Sequence, residues 1–129
     1  MRPALDAAAI SAFLPSKDFE LYRRFYEALG FEKTVDGEVA ILKAGNGAFV
    51  LIRQHQPEWD GAFAMACMVD DLDAWWADIE SLDLPRTLGI TWLPQRPAMQ
   101  PWGLRVAYVG DPGGVLWHFQ QRPKGPKGE

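Results

Sequence analysis

One order of segments, strand–helix–strand–strand–strand, occurs twice along the chain, and this constrains the fold more than any single residue does. In the first copy, Ala7 to Leu14 is apolar and strand-like, and Pro15-Ser16 ends it. Ser16 or Asp18 is placed to cap a following helix. Phe19, Tyr22, Phe25, Tyr26 and Leu29 then fall on one helical face, and Gly30 sits where a left-handed C-terminal cap is expected. Three β-prone runs follow, Phe31 to Val35, Val39 to Lys43 and Ala48 to Arg53. Asp36-Gly37 and Gly45-Asn46-Gly47 divide them, and both are hairpin punctuation.

The second copy starts at Ala62 to Val69, with Asp70-Asp71 at the start of a helix whose apolar stripe is Leu72, Trp75, Trp76 and Ile79. Leu88 to Leu93 is a weaker strand candidate, followed by a proline-studded loop from Pro94 to Pro101. Leu104 to Val109, the turn Asp111-Pro112-Gly113-Gly114 and a last strand, Val115 to Gln120, complete it. The period is roughly 55–60 residues, which means a duplication and not a solenoid. A sheet covered by one helix leaves its other face bare. Two tandem βαβββ modules, 7–54 and 62–121, are therefore expected to form an α+β domain over 1–121. Its mixed sheet should curl around a concave ligand cleft. The tail 122–129 is rich in Pro, Gly and Lys and is expected to be mobile.

Composition narrows the functions. The chain of 129 residues has a net charge of −4, against the basic face that a nucleic-acid partner requires. One cysteine leaves no internal disulfide and no Cys-based zinc site, and two histidines leave little for a multi-His centre. No run approaches the ~18 apolar residues of a membrane span, and Asp6 interrupts the N-terminal apolar stretch before a signal core forms. A soluble, cytoplasmic protein with no membrane partner is expected.

The stretch Pro15-Ser16-Lys17-Asp18-Phe19 with Phe25-Tyr26-Glu27-Ala28-Leu29-Gly30-Phe31 resembles the opening of the glyoxalase/bleomycin-resistance/dioxygenase (vicinal oxygen chelate) superfamily. Pro101-Trp102-Gly103, Asp111-Pro112-Gly113-Gly114 and Trp117-His118-Phe119 resemble the bleomycin-resistance proteins in particular. Enzymes of that superfamily hold a divalent ion with His or Glu from the first and last strand of each module. The matching positions, to about one residue, are Ser11, Leu51, Ala64 and His118, and a single imidazole cannot supply a transition-metal site. The resemblance therefore implies no metal, no cofactor and no catalysis. It implies a homodimer that sequesters a cationic aromatic antibiotic of the bleomycin type. Where one branch has further aromatic residues, this chain has Val35, Val39 and Ala66.

Strand alternation sorts the candidate cleft. Leu116, His118 and Gln120 are expected on the concave side with Ala64, Ala66 and Met68, joined by Ser11 and Phe13 from the first strand. Trp102, Val106 and Tyr108 are expected to share one face of the penultimate strand. The candidate ligand-binding residues are Trp102, Tyr108, His118, Phe13, Ala66 and Met68. Trp102 can serve a ligand or a dimer contact, and His118 a ligand or a structural hydrogen bond. Trp75 and Trp76 read as core or interface residues and Trp117 as core, Cys67 as a small buried hydrophobe, and His55 and Trp59 as linker residues, with Trp59 also placed to line a cleft rim. Asp70, Asp71 and Asp73 suit a helix start. Two other functions compete. One is a metal-dependent lyase, thiol transferase or dioxygenase, with Glu38, Glu58 or His55 joining His118. The other is an interaction module whose tryptophans serve assembly.

Overall fold

The structure is a computed structural model that describes residues 10–59, 61–90 and 94–123. In the first module, strand β1 (Ala12–Pro15) leads to helix α1 (Phe19–Ala28) and strands β2 (Glu32–Asp36), β3 (Ala40–Ala44) and β4 (Gly47–Ile52). A single helical turn over Pro57–Trp59 leads to the second module. There β5 (Ala64–Val69) precedes α2 (Leu72–Leu82), a short α3 (Leu84–Leu88), β6 (Gln95–Met99), β7 (Arg105–Gly110) and β8 (Leu116–Gln121). The duplication predicted above is present, and the class is α+β.

The two longer helices, α1 and α2, start as expected. The Asp18 carboxylate accepts from the Leu21 N–H at 3.2 Å and the Asp71 carboxylate from the Ala74 N–H at 3.0 Å, satisfying amides that the first turn leaves unpaired. At the end of α1 the Gly30 N–H bonds Glu27 O and the Phe31 N–H bonds Tyr26 O, while Gly30 takes a φ of 106°. This paired closure requires the left-handed conformation that glycine adopts without strain.

Each module forms its own four-stranded mixed sheet, in the orders β1-β4-β3-β2 and β5-β8-β7-β6. β1 runs parallel to β4, and β5 parallel to β8. Among the described residues no strand pairs across the modules, so the expected single curled sheet is two sheets that do not close on each other. Ala7–Ala9 of the first predicted strand and most of the tail, 124–129, lie outside the described residues.

One stretch corrects the sequence reading. Leu88 is the last residue of α3 and Ile90 is in no strand; Thr91–Leu93 lie outside the described residues. The strand lies instead at Gln95–Met99, within the proline-rich run read as a loop. Pro97 lacks the N–H of a ladder residue, yet β6 is an edge strand and its register shifts between Gln95 and Ala98. Edges and bulges are the places where a sheet tolerates proline.

The core lies between the helices and the covered faces of both sheets. Tyr26 is fully buried and meets Phe25, Phe31, Phe49 and Trp117 edge-on, with ring centroids 4.8–5.7 Å apart. Trp75 stacks on Phe119 at 3.9 Å, and Trp117 is buried, as predicted for core residues. A polar knot ties the modules together. The Tyr26 hydroxyl donates to Asp111 Oδ2 at 2.5 Å and accepts from Trp117 Nε1 at 3.0 Å. Asp111 Oδ1 accepts from the Gly113 and Val115 amides at 2.8 and 2.9 Å, so the Asp-Pro-Gly-Gly segment is a turn, as expected.

Candidate functional site

Opposite the helices, each sheet has an open face, and register shows what stands on it. In the second sheet, Ala66 (β5) is the register partner of His118 (β8), His118 of Tyr108 (β7), and Tyr108 of Gln95 (β6). In the first sheet, the corresponding row is Phe13, Val50, Ile41 and Val35. At about 4.8 Å between strands, each row spans on the order of 15 Å. One module thus carries an apolar row, and the other a row with imidazole, phenol and amide tips.

The second row is locally well defined. His118 and Tyr108 meet edge to face with centroids 4.7 Å apart and ring planes at 73°. Their neighbours on β8, Trp117 and Phe119, turn into the core, which leaves His118 half-buried on the open side. Ala64 and Ala66 are exposed beside it and provide a low floor. Met68 pairs with Gln120 one step along the sheet and is 41% exposed. The expected alternation is found along β5 and β8; on β7 the register puts Val106 on the side of Tyr108 and Gln120, yet Val106 is fully buried, as is its neighbour Ala107.

Two expectations about placement need correction. Leu51 lies in the core with no exposure, because its register partners Leu14 and Ala40 face α1; the open-face residue is its neighbour Val50. Trp102 is not on the penultimate strand. Residues 100–103 form the β6–β7 turn, with the Gly103 N–H bonded to Gln100 O at 2.9 Å, and the strand starts at Arg105. Trp102 stands 56% exposed at that tip, six positions before Tyr108. At about 3.3 Å per residue the separation is on the order of 15–20 Å. Phe13, 61% exposed, is on the other sheet. The structure thus joins Ala66, Met68, Tyr108 and His118 on one face and leaves Phe13 and Trp102 apart from them within one chain.

Two hollows of the described chain do not gather these residues either. One of about 630 Å³ opens at the β7–β8 turn beside Leu21, Ile90, Asp111 and Leu116. Its one titratable side chain, Asp111, has both oxygens engaged. A smaller hollow of about 150 Å³ reaches Ala66 from between the modules, past Cys67 and Trp117. Burial pushes the Cys67 thiol up from its ordinary value, which opposes a nucleophilic role. Sequence reading missed Gln95, hidden in a run of prolines. It also missed the Tyr26–Asp111–Trp117 knot, for which nothing in the sequence pairs residues 85 and 91 positions apart.

No family model matches the chain. No curated protein matches it either. Solved structures do. A bleomycin-binding protein crystallised with bleomycin is 27% identical over 88% of this chain and 98% of that one, with a TM-score of 0.74. A bleomycin resistance determinant encoded on the transposon Tn5 is also 27% identical, over 89% and 98%, at 0.73. The fold is that of the glyoxalase/bleomycin-resistance/dioxygenase superfamily. Lactoylglutathione lyase from Agrobacterium tumefaciens, 18% identical over 88% and 93% with a TM-score of 0.64, shares this fold.

The metal that the superfamily's enzymes use does not suit the residues present. The positions to which the resemblance points carry Ser11, just before β1, Val50 beside Leu51, Ala64 or Ala66, and His118. Among the described residues, no group of three or more His, Cys, Asp or Glu side chains could hold an ion, so His55, Glu38 and Glu58 do not complete a site with His118. No helix of the described chain is long and apolar enough to cross a membrane.

Proposed function

We propose that this protein binds and sequesters a planar aromatic antibiotic of the bleomycin type and catalyses no reaction on it. The observation that carries the reading is the pair of open rows. Tyr108 and His118 stand over an alanine floor in one module, and Phe13, Val50, Ile41 and Val35 line the other. A flat ligand needs such apolar area with a few polar tips to orient it. A lone imidazole among Ser, Val and Ala offers no Lewis-acid chemistry.

Within one chain the rows lie on separate sheets, and a second copy brings the apolar row of one chain over the polar row of the other. The strands argue for this seam. The outer edges are guarded, β2 by a bulge and by Glu32, Lys33 and Asp36, and β6 by a bulge and Pro97. The other edge strands, β1 and β5, carry no charge and expose Phe13 and Met68. A homodimer of two 14.5 kDa chains follows, with Trp102 a candidate to reach across.

The test is titration of metal-free bleomycin followed by tryptophan fluorescence. Saturable quenching that weakens in His118→Ala and Tyr108→Ala supports the reading. No response across several bleomycin-type drugs refutes it.

A further inference from the structure

A second concave region lies where α1 of the first module meets the β7–β8 turn of the second. Its deeper part is the hollow of about 630 Å³ walled by Leu21, Ile90, Pro112 and Leu116. Leu21 and Pro112 also border a shallower groove of about 600 Å³ that passes Lys17, Phe19 and Arg53. The two form one depression, apolar at one end and charged at the other. The hollow has little to hold a charged head. Its one carboxyl, Asp111, is engaged by Tyr26 and the turn amides. The Ile90 N–H bonds Leu84 O, the Asp111 N–H bonds Val115 O, the Gly114 N–H bonds Asp111 O and the Leu116 N–H bonds Phe63 O, all at 2.9–3.5 Å. What remains is apolar wall around a volume that suits a small ring system.

The groove has the opposite character, and its charges do not balance. Glu20 is paired with Arg23 at 2.5 Å, and Asp18 accepts from the Leu21 N–H at the start of α1. Arg53 donates to the Glu38 and Gly37 carbonyl oxygens at 3.1 and 2.9 Å and lies 3.9 Å over the Phe19 ring. Those contacts fix the guanidinium in place and supply no counter-charge. Asp36, an acid that the Arg53 charge reaches, is itself bonded to Lys33 at 3.0 Å. Lys17 stands exposed on the same groove. With Glu20 matched by Arg23, two cations face one capping carboxylate, and the surplus is positive.

We propose that this junction is a second binding site, for an amphipathic carboxylate whose apolar ring fills the hollow and whose carboxylate meets Lys17 and Arg53. The site goes beyond the sequestration reading and shares none of Ala66, Met68, Tyr108 and His118 with it. Its ligand spans both modules, as the Tyr26–Asp111 bond does.

The test titrates the full chain with indole-3-acetate and indole-3-butyrate, whose arms differ in reach, and with indole and the cation tryptamine for comparison. The amide NMR signals of Gly61, Gly89 and Gly114, which border the hollow, report occupancy. At low salt the better carboxylate is expected to bind at least about fivefold more tightly than indole or tryptamine, and the margin is expected to shrink at high salt. Lys17→Glu, at an exposed position, is expected to erase that margin and leave indole unchanged. Leu21→Trp, which fills the hollow, is expected to weaken every probe. Tryptamine binding as tightly as the carboxylates overturns the inference, and so does a Lys17→Glu protein that keeps the margin. Probes that leave the three glycine signals unmoved, whether or not they shift His118 and Tyr108, overturn it as well. Each of these outcomes leaves the sequestration reading standing, because titration with bleomycin tests that reading separately.

Discussion

The buried knot at Tyr26 offers the sharpest quantitative test of how the two modules are held. Tyr26→Phe removes one oxygen and keeps the ring, so the edge-on contacts with Phe25, Phe31, Phe49 and Trp117 survive. Two buried groups lose a partner: the Trp117 indole N–H, bonded to that oxygen at 3.0 Å, and Asp111 Oδ2, bonded at 2.5 Å. A buried polar group left unsatisfied costs about 1–3 kcal/mol, and more where it is charged. The expected loss is therefore about 2–5 kcal/mol, large against a typical total of about 5–15 kcal/mol. Urea unfolding followed by tryptophan fluorescence measures it, with the slope of free energy on urea expected to stay unchanged. Tyr108→Phe is the control, because that residue is half-buried on the open face and the loss of its hydroxyl is expected to cost under about 1 kcal/mol. If Tyr26→Phe costs no more than the control, the knot does not hold the modules and the reasoning fails.

Further predictions follow from the same geometry. Burial pushes the Asp111 carboxyl above its ordinary value, partly opposed by the Tyr26 hydroxyl and the turn amides. The native state therefore keeps that proton to higher pH than the unfolded chain. This contribution to stability is full below the ordinary carboxylate pKa of about 3.9 and is lost as pH rises through the raised native value. Subtracting the urea midpoints of Asp111→Asn from those of the natural protein between pH 3 and 8 should reveal that slope, and a flat difference contradicts it. Gly113→Ala places a methyl 2.5 Å from the Tyr22 hydroxyl oxygen, so a loss of about 1–3 kcal/mol is expected by thermal or urea unfolding. Sedimentation should give twice the 14.5 kDa chain mass, and Phe13→Asp or Met68→Asp should shift it toward the single chain. A monomer at high concentration would remove the seam.

The segments most legible in the sequence were those whose signals are local. The stripe of Phe19, Tyr22, Phe25 and Tyr26, the caps at Asp18 and Asp71, and the alternation of Trp117, His118 and Phe119 depend on neighbours a few residues away. All appear where periodicity places them. The failures came where tertiary context overrode a local rule. Three prolines hid β6, because edge position and a bulge, neither visible in sequence, make Pro97 acceptable. Leu51 was placed one residue out of register, and in a strand one residue means the opposite face. Trp102 is grouped by alternation with one face of β7, but it lies in the β6–β7 turn, where strand alternation does not apply. The Tyr26–Asp111 contact joins two modules through burial, and the duplicated segment order does not encode it.

Calorimetric titration of metal-stripped protein with metal-free bleomycin, run in chelator, puts the account to its most direct trial. Saturable heat, abolished by His118→Ala together with Tyr108→Ala while the fold persists, is the predicted result. Binding that arises only when a divalent ion is restored would contradict it.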